Sequence, residues 1–295
     1  MPKVTGAATV VGVIGRPVAH SLSPLMHNRA FAHLGMDWVY VPFEVPDDAV
    51  GAALAGLKAL SVRGVNVTVP HKTAVLPLVD QLTPAAAAVG AVNTVVNERG
   101  RLVGDNTDGI GFVRSLRDEA RFDPYGARVL VLGAGGAARA VAVELARAGA
   151  ARVAIANRTE SRAKQLAEEV KRHGAAAVGL SLAREAVGPE LRASDLLVQT
   201  TSLGLAGDPS LPVDGALLEP PLLVADVVYT PLKTPLLQAA EARGCDTLPG
   251  WGMLLYQGAE AFERWTGMKA PVAVMREALL GALGARRTDG VTQDG

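Results

Sequence analysis

The run Arg128-Val129-Leu130-Val131-Leu132-Gly133-Ala134-Gly135-Gly136-Ala137-Ala138-Arg139 constrains this chain more than any other stretch. Aliphatic residues lead into a glycine cluster, and alanines follow. That order reads as strand, tight turn and helix. Gly133, Gly135 and Ala138 stand at the spacing G-x-G-x-x-A. Gly133 lets the chain leave the strand sharply, Gly135 offers bare backbone to a pyrophosphate, and Ala138 lets the helix pack close to the strand. The helix start directs unpaired N–H groups and the positive end of its dipole at the phosphates. A second apolar run at residues 151–156 completes a βαβ unit. An NAD-binding unit carries an acidic residue about 20 residues past the glycines, bonded to the ribose 2′-hydroxyl. Here that place holds Asn157-Arg158-Thr159. No carboxylate there repels a 2′-phosphate, and the planar fork of Arg158 can pair with one. The unit is predicted to take NADP rather than NAD. Thr159 is also the expected N-cap of the next helix, at 159–173.

A chain of 295 residues is long enough for two domains. Aromatics are few and small aliphatics abundant, which suits helices packed on parallel sheets. Formal net charge is zero, from 29 basic and 29 acidic residues, so neither a nucleic-acid surface nor an acidic tail is expected. Cys245 is the sole cysteine, which excludes an internal disulfide and a cysteine-rich metal site; it reads as a small buried hydrophobe. No charge-free apolar run reaches the roughly 18 residues of a membrane span. The N-terminus lacks a signal-peptide pattern, so the expected compartment is the cytoplasm.

In chain order, residues 10–14 read as a buried strand ended by Gly15. Ser23 is the expected N-cap of a helix that starts at Pro24 and stops at Gly35. A strand at 38–45 and a helix to about 60 follow, then a strand at 64–69 closed by Pro70 and a helix from about His71. Leu82-Thr83-Pro84 opens a short alanine-rich helix. Segments 91–97 and 101–104 form a hairpin around Glu98-Arg99-Gly100, and Asn106-Thr107-Asp108 opens a helix to about 120. This alternation predicts a separate α/β sheet in the first third. The turn-rich joint 121–127 leads into the nucleotide-binding unit, whose later strands fall at 176–180, 195–199 and 222–228. Residues 200–221, rich in Gly and Pro, form a long loop of the functional kind. A helix at 234–243, a strand at 245–248, a long helix opened by Gly250-Trp251-Gly252 and running to about 266, and a closing helix at 271–283 complete the chain, and the polar tail 286–295 is expected to fray.

Several polar residues stand where apolar strands end. Ser21 and Ser23 follow the first strand, Thr68 and Lys72 flank Pro70, Asn93 follows Gly90-Ala91-Val92, and Asp108 follows Asn106-Thr107. Ligands of α/β sheets bind beyond the carboxyl ends of strands, so these positions can converge on one cleft. Hydroxyls, an amide, an ammonium and a carboxylate suit a polyhydroxylated substrate. Singly, each has a plain structural role: Ser23 and Asp108 as helix caps, Asn93 in a turn, Lys72 as a solvated charge. His20, His27 and His71 stand in no ligand pattern for a metal and read as core or loop residues.

These residues resemble shikimate dehydrogenases. The resemblance rests on Ser21-Leu22-Ser23-Pro24-Leu25-Met26-His27-Asn28, Asn66-Val67-Thr68-Val69-Pro70-His71-Lys72, Gly90-Ala91-Val92-Asn93-Thr94 and Gly104-Asp105-Asn106-Thr107-Asp108-Gly109. Gly133 to Ala137, Asn157-Arg158-Thr159 and Gly252-Met253-Leu254-Leu255-Tyr256-Gln257 add to it, nearly spanning the chain in the family's order. It implies a two-domain α/β protein: an N-terminal α/β substrate domain, a Rossmann-type NADP-binding domain, and a cleft between them. The substrate domain would be discontinuous, 1–108 plus 251–295, with 109–250 binding NADP. It implies Lys72 and Asp108 as the catalytic pair, and Ser21, Ser23, Thr68, Asn93, Asp108, Tyr229 and Gln257 on the substrate. Gly133, Ala134, Gly135, Gly136, Ala137, Asn157, Arg158 and Thr159 would hold the cofactor, with Val227 and Gly250 near its nicotinamide. The implied activity is reversible NADPH-dependent reduction of 3-dehydroshikimate to shikimate, in aromatic amino-acid biosynthesis, by a monomer or homodimer acting on a small molecule, with neither nucleic acid nor membrane as partner. The alternatives are an NAD-dependent quinate/shikimate dehydrogenase and a non-catalytic NADP-binding regulatory protein. Two departures from the family pattern stand out: Gln199 where many members have Asn, and Pro249-Gly250-Trp251-Gly252 in place of a more usual Asp-Gly beginning.

Overall fold

A computed structural model of the chain describes residues 4–205 and 208–289. The chain divides into two compact units, Met1–Thr107 with Gln257–Gly295, and Asp108–Tyr256.

In the first unit the strands are β1 (Thr9–Gly15), β2 (Trp38–Glu44), β3 (Gly64–Val67), β4 (Gln81–Leu82), β5 (Thr94–Glu98) and β6 (Arg101–Asp105). Among the described residues their order in the sheet is β2-β1-β3-β5-β6-β4. The sheet is mixed: β1 runs parallel to β2 and β3, whereas β5 is antiparallel to β3 and β6. The β5–β6 pairing is the expected hairpin: Arg99 and Gly100 both hold positive φ (56° and 92°), as a tight two-residue hairpin turn requires. The first helices are α1 (Ser23–His33), α2 (Val50–Ala59) and α3 (Pro84–Val89). Leu54 and Leu57 of α2 pack with Ile14, Val65, Val67, Val95 and Leu102 in one apolar cluster. Elsewhere in the unit Phe31, Tyr40, Phe262 and Trp265 gather around His27. Gly64 leaves room there for Trp265, whose indole N–H donates to the Val95 carbonyl at 3.0 Å.

In the second unit, α4 (Asp108–Glu119) precedes β7 (Arg128–Leu132), α5 (Gly136–Arg147), β8 (Arg152–Asn157), α6 (Glu160–Lys171), β9 (Ala176–Ser181), α7 (Arg184–Arg192) and β10 (Leu196–Gln199). Then come β11 (Leu223–Asp226), α8 (Pro235–Ala242), β12 (Asp246–Leu248) and α9 (Trp251–Thr266), which runs on into the first unit; α10 (Val272–Asp289) ends the described chain. The order is β12-β11-β10-β7-β8-β9 with every pairing parallel. The inner strands β7, β8, β10 and β11 accordingly read as mainly aliphatic runs buried on both faces, whereas the edge strands β9 and β12 are more exposed. After β9 the chain returns to the other side of β7, so the order reverses between β7 and β10, where such sheets open a crevice at their carboxyl ends.

The helix expected from His71 does not form; residues 69–75 are turns, followed by a short 3-10 segment at Leu76–Leu78. Pro70 and Pro77 bracket the segment: each lacks an N–H to donate to an α-helix, and each disfavours the α conformation at the residue before it. Ser23 is not an N-cap: Leu22 holds that position, and the Ser21 hydroxyl accepts the Ser23 N–H at 3.3 Å. Thr159 does stand at an N-cap, but its side chain makes no cap bond. The strand expected to reach residue 69 ends at Val67, and the closing helix runs past 283 to Asp289. Of the tail expected to fray, residues 290–295 lie outside the described residues, as do 1–3 at the start. Among the described residues no helix is long and apolar enough to cross a membrane.

Candidate active site

In the first unit, register brings distant segments to one edge of the sheet. Ile14 pairs with Val67, Asn66 with Thr94, and Thr94 with Asp105. The carboxyl ends of β1, β3 and β6 therefore meet the start of β5. Ser21 and Ser23 leave β1, Thr68 and Lys72 leave β3, Asn93 enters β5, and Asn106-Thr107 leave β6. The Lys72 carbonyl accepts the Val92 N–H at 2.8 Å, which ties the Lys72 segment to Asn93.

A buried polar chain runs beneath this edge. Ser23 is hydrogen-bonded to Tyr40. The Tyr40 hydroxyl donates to Asn66 Oδ1 at 2.8 Å, and Asn66 Nδ2 donates to Thr94 Oγ1 at 3.1 Å. Thr94 donates to Asn93 Oδ1 at 3.0 Å, Asn93 Nδ2 to Thr107 Oγ1 at 3.0 Å, and Thr107 to the Gln257 carbonyl at 3.1 Å. Burial pushes the Tyr40 phenol up, and its bond with Ser23 acts against that rise. Such a saturated network rigidifies the groups it joins. Asn93 is thus oriented by Thr94 and Thr107, and Thr107 leads directly into Asp108, the first residue of α4. Tyr40, Asn66, Thr94 and Thr107 were not singled out from the sequence. Their signal was there for Asn66 and Thr94, polar residues inside otherwise aliphatic strands.

In the second unit Gly133 ends β7 at φ +114°, and a Cβ there would lie 2.6 Å from Thr200 Oγ1. The turn thus abuts the exit of β10 at the switch point. Gly135 is the N-cap of α5 with no side-chain cap, and a Cβ at Gly135 or Gly136 would meet nothing within 4 Å. Uncapped N–H groups before open space fit a dinucleotide's pyrophosphate. Ala134 and Ala137 flank the turn, and Ala138 is fully buried. Asn157 donates from Nδ2 to the Thr159 carbonyl at 2.9 Å, shaping the turn that exposes Arg158 and Thr159. The nearby Glu160 is paired with Lys164 at 2.6 Å.

The fully buried Gln199 side chain donates to Thr201 Oγ1 at 2.8 Å and accepts the Thr201 N–H at 3.0 Å, folding the loop back on itself. Its backbone carbonyl accepts the Val227 N–H at 3.0 Å. Gly250 packs against the backbone of Val227 and Val228 so closely that a side chain would collide. Asp226, ending β11, accepts the Val228 N–H at 2.9 Å and the Thr234 hydroxyl at 2.7 Å. Burial raises its carboxyl to about pKa 6, against those two hydrogen bonds. It thereby holds the loop that carries Val227 and the half-buried Tyr229. Of the expected site residues, Ser21, Ser23, Thr68, Lys72, Asn93 and Gln257 lie in the first unit, and Asp108, Tyr229 and the cofactor set lie in the second. His27 is a core residue, and the Nε2 of buried His71 lies 2.7 Å from the Val45 carbonyl. Among the described residues no three His, Cys, Asp or Glu side chains gather as metal ligands.

Comparison with known proteins covers both units. A family profile described as shikimate dehydrogenase substrate binding domain matches residues 13–95, one described as shikimate/quinate 5-dehydrogenase matches 118–203, and one described as shikimate 5′-dehydrogenase C-terminal domain matches 250–280. The shikimate dehydrogenase (NADP(+)) of Moorella thermoacetica is 51% identical over 97% of this chain and 97% of its own length. That of Methanopyrus kandleri is 50% identical over 94% and 97%. The crystal structure of shikimate 5-dehydrogenase from Listeria monocytogenes, in complex with shikimate and NAD, superposes with a TM-score of 0.90 at 41% identity, covering 95% of this chain and 99% of that one. With relatives near half identity matched almost end to end, and with an open glycine turn at the switch point of its parallel sheet, the chain belongs to the shikimate dehydrogenase family.

Proposed function

We propose that this protein catalyses the reversible NADPH-dependent reduction of 3-dehydroshikimate to shikimate, as an oxidoreductase of the shikimate pathway. The observation that carries the reading is the joint presence, in a chain matched throughout by NADP-dependent shikimate dehydrogenases, of the open turn at Gly133–Gly136 and the buried network that orients Asn93 and Thr107. In this reading Gly133, Ala134, Gly135, Gly136 and Ala137 hold the pyrophosphate, Asn157, Arg158 and Thr159 the 2′-phosphate side, and Val227 and Gly250 the nicotinamide side. The cofactor, when bound, supplies or takes up the hydride.

The chain's own residues hold the substrate and move a proton. Ser21, Ser23, Thr68, Asn93, Tyr229 and Gln257 bind the carboxylate and hydroxyls. Lys72 gives a proton to the carbonyl oxygen as it becomes a hydroxyl, and takes it back in the reverse direction. Asp108 accepts a hydrogen bond from the substrate hydroxyl. The substrate is a small molecule, the protein a cytoplasmic enzyme, and the state a monomer or homodimer. The Arg158 turn and the pairing of Glu160 with Lys164 favour NADP over the NAD-dependent quinate/shikimate alternative.

Following NADPH formation from shikimate tests the activity; faster turnover of quinate with NAD overturns the assignment. Lys72→Ala should lower kcat by about 10²–10⁴-fold, the range for a positioned acid–base group. KM should change far less, because the hydroxyl and amide contacts remain. Asp108→Asn should also lower kcat, and the double variant should be little worse than the worse single one. Near-native kcat with a greatly raised KM makes Lys72 a binding residue.

A further inference from the structure

One charged side chain of the first unit joins two segments that carry proposed substrate residues. Arg264 lies on α9 seven residues after Gln257, two turns on and on the same helix face. Its Nε donates to Asp105. Its Nη1 donates to Glu260 Oε2 at 2.9 Å and to the Glu260 carbonyl at 3.0 Å. Asp105, 5% exposed, ends β6. Its Oδ1 also accepts the Thr83 hydroxyl at 2.5 Å and the Asn106 N–H at 2.8 Å. Two residues on, the Thr107 hydroxyl donates to the Gln257 carbonyl at 3.1 Å. The run 105–107 and the helix face 257–264 are therefore fastened at both ends, by an ion pair at one and a hydrogen bond at the other.

We propose that Arg264 is a positioning residue of the substrate site, which acts through Asp105 to fix the line of Asn106-Thr107 and the aim of Gln257. The proposal rests on the functional reading above. With both fastenings the run 105–107 is pinned to α9 at each end; with the Thr107–Gln257 bond alone its Asp105 anchor to the helix is lost, while Trp265 still holds α9 to Val95. A buried carboxylate that loses its cation does not stay where it was, because its charge is then uncompensated. Asp105 would release Thr83 and Asn106 with it, and Asn106-Thr107 leads into Asp108. The guanidinium serves Asp105 and Glu260 at once through separate N–H groups, a geometry that a single ammonium reproduces only in part.

Steady-state kinetics with shikimate, alongside direct titration of NADP, on R264L, R264K and D105N/R264L test this. R264L should raise KM for shikimate about tenfold or more, since small misplacements at a site are costly. NADP affinity should stay within about twofold, because its proposed ligands lie in the other unit. R264K should recover part of the loss. D105N/R264L removes both charges, so it relieves the buried unpaired carboxylate and yet keeps the raised KM. If R264L does not fold, the other two variants carry the measurement. Unchanged shikimate kinetics with only a lowered melting temperature overturn the proposal, as does equal weakening of shikimate and NADP. No turnover of shikimate by the wild-type chain overturns the functional reading, and this proposal with it.

Discussion

Arg158 stands exposed at the exit of β8 and makes no ion pair or side-chain hydrogen bond among the described residues. A side chain held this way is available to a 2′-phosphate. Arg158→Ala should weaken NADP by roughly 1.5–3 kcal/mol, the size of a charge-assisted bond, and leave NAD nearly unchanged. Titration of both cofactors checks it; equal weakening would make Arg158 structural. His27 shows the opposite situation. It is fully buried, stacks on Tyr40 at 4.5 Å between ring centres, and neither ring nitrogen has a hydrogen-bond partner. Burial lowers its pKa from 6.5 to about 3. The unfolded chain therefore binds a proton first, so stability is intact above about pH 6.5 and falls as pH drops toward 3, by roughly 3 kcal/mol at pH 4. Denaturation of wild type and His27→Leu across that window should show a shallower slope for the variant; identical slopes would show that His27 does not titrate there. The sequence left His27 as either a core or a loop residue, and it assigned Ser23 to a helix cap. The Ser23 hydroxyl instead meets Tyr40, a partner 17 residues away that no local pattern announces.

Among the elements, the β7–α5 turn uses its glycines for two separable reasons. Gly133 is required by the protein itself, since φ is +114° and Thr200 blocks a side chain. Gly135 is not, since its φ of −89° suits any residue and a Cβ meets only open space. Gly133→Ala should therefore destabilise the protein by about 1–3 kcal/mol. Gly135→Ala should change stability by less than about 1 kcal/mol yet largely abolish dinucleotide binding, because the added methyl occupies the approach of the phosphate. Thermal melts with NADP titrations separate the two; normal NADP affinity in Gly135→Ala would remove the pyrophosphate from this turn. The strand–turn–helix was readable because its signals are consecutive in the chain. The segment after Pro70 was not: its apolar spacing resembles a helix, but prolines at both ends and anchoring through His71 to Val45 settle it as turns.

For the whole molecule, the proposed cofactor residues lie in the unit Asp108–Tyr256 and most of the proposed substrate residues in the other. NADP alone should slow amide exchange mainly around residues 133–139 and 157–162, and shikimate alone mainly around 66–72, 93–107 and 257–264. Protection by NADP spread evenly over both sets would overturn the assignment of one ligand to each. The amino-acid sequence by itself determined the αβ alternation, the parallel sheet of the second unit, the hairpin around Arg99-Gly100 and the strand–glycine turn–helix at 128–147. Each depends on short-range periodicity, glycine geometry or a lack of charge. Only the tertiary structure decided the mixed order of the first sheet, the polar chain from Ser23 to Gln257, and the bracing of Asp105 by Arg264. Those depend on strand register and on partners up to 159 residues apart, and such pairings are selected by the packing of the whole unit rather than by any local propensity.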